Sequence, residues 1–377
     1  MSQDAPRTLK PGTRIVHVVR QFLPNRGGLE DVVAQLCRAQ LAAGLRPSVV
    51  TLDRLFRDLK RTLPAREQID GIPVTRIPFR GSTRYPLAPS VFAHLGEADI
   101  VHVHAIDFFF DALAWGWPLH RKPLVATTHG GFFHTGDHAR LKRFWFNVVT
   151  RLSALAYRGI AACSASDAER FRSIAGSRVM LIENGVDLSK FAGAASLEPR
   201  KRLISLGRFS KNKRPDRLIA TMGELCRRNP DWRLDLVGVP SDWTEQDLRG
   251  AIRTAGLDDA INLHLGPADA AVRALIGENS LFVSASEFEG FGLVLIEALS
   301  AGLQPVVQPN AAFASLAAKL PAVRLADFAD PAGAADSIEA TFAALATGQG
   351  APADLARQIE PYSWERVARN YAALYAR

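Results

Sequence analysis

Cysteine is scarce: the 377 residues hold three, Cys37, Cys163 and Cys226, spaced too widely for a zinc or dithiol motif. They read as small apolar core residues of a chain kept in a reducing compartment. Long apolar runs are missing as well. Nothing approaches the ~20 residues that cross a bilayer, and the opening MSQDAPRTLK lacks the apolar stretch of a signal peptide. A cytoplasmic protein is the expectation. No G-x-G-x-x-G occurs, which excludes the dinucleotide fingerprint, and no D-x-D, which disfavours a donor held through a metal. Zinc-finger, RNP and basic-zipper patterns are absent too, so the formal net charge of +8 does not point to nucleic acid.

That charge is unevenly placed. Residues 1–190 carry 26 Lys/Arg against 16 Asp/Glu, while residues 191–377 carry 20 against 22. The basic half should meet an anion, and an anionic membrane surface or a lipid diphosphate would serve. The length suggests two domains. Apolar runs near residues 14–20, 48–52, 72–77, 99–104, 124–128 and 160–163 alternate with helical stretches, and a second series begins at Arg202 with runs near 233–237, 262–265 and 281–286. Such alternation indicates doubly wound parallel sheets with ligands at the strand C-terminal ends. The stretch Gly193–Pro199 reads as the linker between them.

The most informative stretch is Ser284-Ala-Ser-Glu-Phe-Glu-Gly-Phe-Gly-Leu-Val-Leu-Ile-Glu-Ala-Leu299, a strand running into an acidic, glycine-bearing turn and then a helix. Gly290 and Gly292 free the backbone there, and the N–H groups of the new helix attract an anion. Glu289 and Glu297 cannot act as a hydrolase pair, which stands ~5–9.5 Å apart across one bond. About five helical residues already rise ~7.5 Å, so the two should grip different parts of an extended ligand.

This pattern, followed by Glu297-Ala-Leu-Ser-Ala-Gly302, resembles the signature of the retaining nucleotide-sugar glycosyltransferases of family 4. The resemblance implies a GT-B fold: two Rossmann-like parallel-sheet domains facing across a cleft. It implies domains at 1–190 and 200–361, with the last helix, 362–377, packed back on the first. By position Glu289 contacts the donor sugar and Glu297 the ribose, with Gly290, Phe291, Gly292 and Leu293 lining sugar and diphosphate. Arg208 and Lys213, in Gly207-Arg-Phe-Ser-Lys-Asn-Lys213, match the family's pair of cations on the donor diphosphate. With no metal implied, they and the helix N–H groups neutralise the leaving group.

Further matches lie in the first half. Gly27 and Gly28 resemble the family's first loop, facing diphosphate and acceptor, although a plain tight turn explains them too. In Thr127-Thr-His-Gly-Gly-Phe-Phe-His134, His129 falls where the family's histidine reaches the donor sugar. Ser164 matches a position near acceptor or phosphate, and an N-cap accounts for it nearly as well. His102 and His104 share a strand face but, with no third ligand in view, read as packed residues rather than a metal site. The turn Gly266-Pro-Ala-Asp269 falls where the family's backbone reads the base.

Residues 138–152 form a basic, aromatic helical pattern with Lys142, Arg143, Phe144, Trp145 and Phe146, suited to a membrane interface. Within the family the motifs are most similar to those of α-mannosyltransferases of exopolysaccharide assembly. This implies GDP-mannose, or another nucleotide sugar, as donor, a lipid-diphosphate-linked acceptor, and attachment to the inner membrane face without a cofactor. A nucleotide-sugar epimerase and a non-catalytic binding scaffold share the fold and remain open on motifs alone.

Overall fold

Short runs rich in Val and Ile form strands covered on both faces, the condition for a parallel sheet. Arg14–Val18, Ile100–His104 and Leu124–Thr127 are such runs, and all but Arg14 of their residues are buried. The structure, a computed structural model, describes residues 9–25, 27–83, 85–129, 145–348 and 352–377. It divides into two units, Met1–Gly185 with Trp364–Arg377, and Val186–Ser363.

Across the sheet of the first unit the strands run Val179–Leu181, Tyr157–Ala162, Leu124–Thr127, Ile100–His104, Arg14–Val18, Arg46–Leu52, Ile72–Ile77 and Arg66–Ile69. The last pair is antiparallel and the others parallel. Chain order changes direction between Arg14–Val18 and Ile100–His104, which opens a crevice at their C-terminal ends. The helix Gly28–Ala42 covers one face of this region. The final helix, Trp364–Tyr375, lies beside it and on strand Tyr157–Ala162, where Gly159 leaves room: a Cβ there would stand 2.4 Å from Leu374.

The second unit holds six parallel strands in the order Ile261–Leu265, Arg233–Gly238, Arg202–Leu206, Leu281–Ser284, Gln304–Val307, Arg324–Leu325. Its direction changes between Arg202–Leu206 and Leu281–Ser284. The helix after the latter, Leu293–Ala301, is apolar nearly all round and sunk in the core, as such a composition requires.

Ile72–Ile77 forms within its expected bounds, and the other expected strands shift by a few residues at their ends. Several strands lie outside the expectations: the exposed hairpin Arg54–Leu55 with Asp58–Thr62, then Arg66–Ile69, Val179–Leu181, Gln304–Val307 and Arg324–Leu325. The expected linker is not free chain: Gly193 and Ala195 donate backbone hydrogen bonds to Ser300 and Ala301 of the second unit.

Candidate active site

In the second unit the change of direction brings two strand ends side by side. Leu206 runs into the loop holding Arg208 and Lys213, and Ser284 into the turn holding Glu289. Asn212 joins them, its Nδ2 donating to Phe288 O at 2.7 Å and its carbonyl accepting from Glu287 N at 2.9 Å. This seam sets Lys213 Nζ 2.6 Å from Glu289 Oε1, both side chains mostly shielded from solvent. Arg208 is exposed and has no side-chain partner among the described residues. The neighbouring Arg214 is occupied by Asp216 and Glu287.

The turn ends at Gly292, which caps the helix Leu293–Ala301 at φ 90°. Its left-handed backbone, and Phe313 2.9 Å from where a Cβ would stand, both require glycine. Gly290 differs from expectation, since it is exposed, outside the left-handed region, and has no atom within 4 Å of a Cβ. The space beside Gly290 is open. The first N–H groups of the helix, at Leu293 and Val294, lack intrahelical partners and carry the positive end of the dipole, while Leu295 N already donates to Gly292 O. Glu297 is half-buried one turn on, and burial pushes its carboxyl above the usual range against the opposing pull of Lys190. Lys190 itself pairs with Asp269 at 3.1 Å, beside the turn that begins at Gly266.

In the first unit Gly27 is the N-cap of Gly28–Ala42, with extended backbone at φ −166°, and Gly28 opens the helix. A Cβ on Gly27 would meet Glu30 Oε2 at 2.7 Å. Ser164 caps the helix Ala165–Ala175, accepting from Asp167 N at 3.2 Å, so its side chain has the capping task. His129 follows strand Leu124–Thr127 in a left-handed conformation, φ 50°, rare for a residue with a Cβ. Its amide donates to Cys163 Sγ at 3.2 Å. Cys163 and Cys37 are buried free thiols and Cys226 is partly buried, which matches the expected core role. Glu289, Glu297, Lys213, Arg208 and the turn 290–293 thus belong to the second unit, and His129, Ser164, Gly27 and Gly28 to the first.

One expectation is corrected here. His102 and His104 do have a third imidazole beside them: His17, on the adjoining strand in register with His102. Side chains two apart on a strand, and in-register neighbours on parallel strands, share one face, so all three rings meet under the helix Gly28–Ala42. They still do not suit a metal. Every nitrogen of the three is committed: His17 to Gln40 and His104, His102 to Tyr375 and Thr127, His104 to His17 and His129. Burial holds all three, and His129, below the ordinary histidine range, His17 and His129 at about 4. Sequence reasoning missed His17, Gln40 and Tyr375. Their only signal was a histidine at a like depth in two apolar strands.

A second correction concerns the basic aromatic stretch. Residues 130–144, with Lys142, Arg143 and Phe144, lie outside the described residues. Beyond them Phe146 is buried and Trp145 half-buried, edge-on to Tyr85. The helical periodicity turns those rings inward and leaves Val148, Leu152 and Leu155 exposed instead. Trp115, Trp117 and Leu119, on the helices Phe108–Trp115 and Trp117–His120, are exposed nearby, since the former packs on Arg151–Ala154.

Two family models divide the chain: Glycosyltransferase Family 4 matches residues 26–190, and Glycosyl transferases group 1 matches residues 189–346. The GDP-mannose:cellobiosyl-diphosphopolyprenol alpha-mannosyltransferase of Komagataeibacter xylinus is 44% identical over 366 residues, 96% of this chain and 92% of its own. The Xanthomonas campestris protein of the same description is 40% identical over 369 residues, 96% of each chain. Among solved structures, sucrose-phosphate synthase from Thermosynechococcus elongatus is similar in fold, with TM-score 0.68 and 19% identity over 96% of this chain and 98% of its own. A glycosyltransferase from Rickettsia africae has TM-score 0.75 and 16% identity, covering 97% and 98%. The fold is therefore GT-B, built on two parallel sheets.

Proposed function

Because the chain belongs to glycosyltransferase family 4, we propose that it transfers mannose from GDP-mannose to a saccharide carried on polyprenyl diphosphate, keeping the α configuration. The bond from C1 of mannose to the β-phosphate oxygen breaks, and its electron pair leaves with GDP. An acceptor hydroxyl oxygen bonds to C1 and gives up its proton. The chain's contribution is charge in place before the bond breaks, which usually does more than any other single effect to lower an enzymatic barrier.

The observation that carries this reading is the contact between Lys213 and Glu289 at the change of strand direction, next to a glycine-capped helix N-terminus. A cation, a carboxylate and unpaired N–H groups stand where open α/β sheets bind ligands. Lys213 and Arg208 take the leaving diphosphate, Glu289 the sugar hydroxyls, and Glu297 the ribose. The N–H groups at Phe291, Gly292 and Leu293 face diphosphate and sugar. His129 meets the sugar from the first unit, with Gly27, Gly28 and Ser164 on the acceptor and phosphate side. Two cations and a helix dipole supply the charge for which other transferases use a metal, so the reaction runs without one.

The acceptor is a lipid, and the exposed apolar residues Val148, Leu152, Leu155, Trp115, Trp117 and Leu119 stand near Arg121, Arg151 and Arg158 in a basic unit. That mix suits the surface of an anionic membrane. No described helix is long and apolar enough to cross one, so attachment is peripheral, and its product feeds exopolysaccharide assembly at the inner membrane face. Radiolabelled GDP-mannose with membranes loaded with lipid-linked cellobiose tests the reading. Label in the lipid fraction, undiminished by EDTA, is expected. Label only from another nucleotide sugar would overturn the donor, and activity lost to EDTA and restored by manganese would overturn the metal-free mechanism.

A further inference from the structure

The imidazoles under the first sheet form a line with a direction. Gln40 stands at its head, on the helix Gly28–Ala42, with Oε1 2.8 Å from His17 Nε2 and Nε2 3.0 Å from the hydroxyl of Tyr375. A carbonyl oxygen only accepts, so His17 carries its hydrogen on Nε2. The ring is buried and neutral, which leaves Nδ1 a lone pair. The group 2.9 Å from that lone pair is His104 Nε2, which must donate. His104 is neutral as well, so its Nδ1 accepts, and the donor 3.0 Å away is His129 Nε2. The other side of Gln40 runs consistently: its amide donates to Tyr375, Tyr375 to His102 Nδ1 at 2.8 Å, and His102 Nε2 to Thr127 Oγ1 at 2.7 Å.

We propose that Gln40, acting through His17 and His104, fixes His129 with its hydrogen on Nε2 and its Nδ1 lone pair presented to a hydroxyl of the ligand. This rests on the reading above that His129 meets the donor sugar, and adds what it recognises there. A neutral nitrogen with a lone pair accepts from a sugar O–H and is repelled by a phosphate oxygen, which offers only lone pairs of its own. The line therefore makes His129 a reader of the neutral polyol part of the donor, leaving the diphosphate to Arg208 and Lys213. Gln40, His17 and His104 are positioning residues: they lie behind His129 and act only through it. The left-handed backbone of His129 and its amide bond to Cys163 fix the ring's root, while the line fixes its hydrogen.

Nitrogen-15 spectra of the imidazoles in the full-length protein read this directly, apart from any activity. In the unsubstituted protein His129 should show a protonated Nε2 and an unprotonated Nδ1. In His17→Phe, which keeps a ring but ends the line, both tautomers of His129 should be populated and its two shifts should move toward each other. In His17→Lys, whose ammonium only donates, the order should invert. Transfer should follow, with kcat/KM down about twofold in His17→Phe and tenfold or more in His17→Lys, in proportion to the competent tautomer, while affinity for GDP stays unchanged. A protonated Nδ1 on His129 in the unsubstituted protein, or spectra of His129 identical in His17→Phe, would overturn the proposal even if His17→Lys fails to fold. The expected spectra with no mannosyl transfer would leave the line standing and overturn the reaction instead.

Discussion

Lys213 Nζ and Glu289 Oε1 stand 2.6 Å apart, so removing either strips the other of its partner as well as of its task. Lys213→Met and Glu289→Gln are each expected to lower kcat/KM for GDP-mannose by about 10²–10³-fold. The double variant should fall well short of the product of the two losses, because residues in contact are not independent. A product-like loss in the double-variant assay would show that the contact is incidental to transfer. The buried histidines make a separate demand at this scale. His17 and His129 titrate at about 4, against about 6.5 in the unfolded chain. The unfolded state therefore takes up protons first as pH falls. Stability, full above about pH 6.5, drains away toward pH 4, by roughly 3 kcal/mol per group. His102 and His104, held down by the same burial, add in the same direction. Asp107 works against them: burial outweighs Arg20 and raises its carboxyl to about 6, so it stabilises on acidification. Asp111 and Glu297, raised by burial too, side with Asp107. The four histidines lie together in one buried cluster and outweigh the three carboxyls, so urea midpoints should be lower at pH 5 than at pH 7, and a flat profile would contradict the buried neutral cluster.

At the scale of the element, the helix Leu293–Ala301 depends on how it is entered. Gly292→Ala must adopt φ 90° and force its methyl against Phe313, which should cost about 1–3 kcal/mol and, by turning the first N–H groups, weaken GDP binding. Gly290→Ala meets neither obstacle and should leave the unfolding free energy from urea titration within about 0.5 kcal/mol of the parent. Equal midpoints for the two variants would show that the cap is not strained. This helix and its turn were legible beforehand because glycines, a strand and an apolar helix follow one another within a few residues. Strands such as Ile100–His104 were legible for a like reason, being buried runs rich in Ile and Val. Gln304–Val307 was not, since glutamine and proline open it and leave only two apolar residues in a row, and the hairpin at Arg54–Thr62 is exposed throughout its second strand, where Asp58, Lys60 and Arg61 are charged. The histidine line was beyond reach, because it joins residues 17, 40, 102, 104, 129 and 375 through strand register and a returning helix. Local pattern does not encode register between distant strands.

For the molecule as a whole, the excess of positive charge in residues 1–190 and the exposed apolar side chains of that same half point to one surface acting in two ways. On the proposed membrane reading, charge would draw the protein to an anionic bilayer over distances of about a Debye length, an attraction that weakens with salt. Burial of apolar side chains would then hold it there, at roughly 25 cal/mol per Å² removed from water. The two contributions separate experimentally. Flotation with vesicles containing anionic lipid should fall when Leu152 and Leu155, 59% and 66% exposed, are both changed to Glu, with folding intact because neither side chain supports the core. Raising the salt should weaken the parent's binding as well, whereas zwitterionic vesicles should retain little protein at any salt. Trp145→Glu is a different experiment, since that ring packs on Tyr85, and its effect should appear first as lost stability. Binding that survives the paired leucine substitutions would move the lipid-facing surface elsewhere in the molecule. It would leave the acceptor to be met in solution or through another protein, and the transfer chemistry of the second unit would stand unaltered.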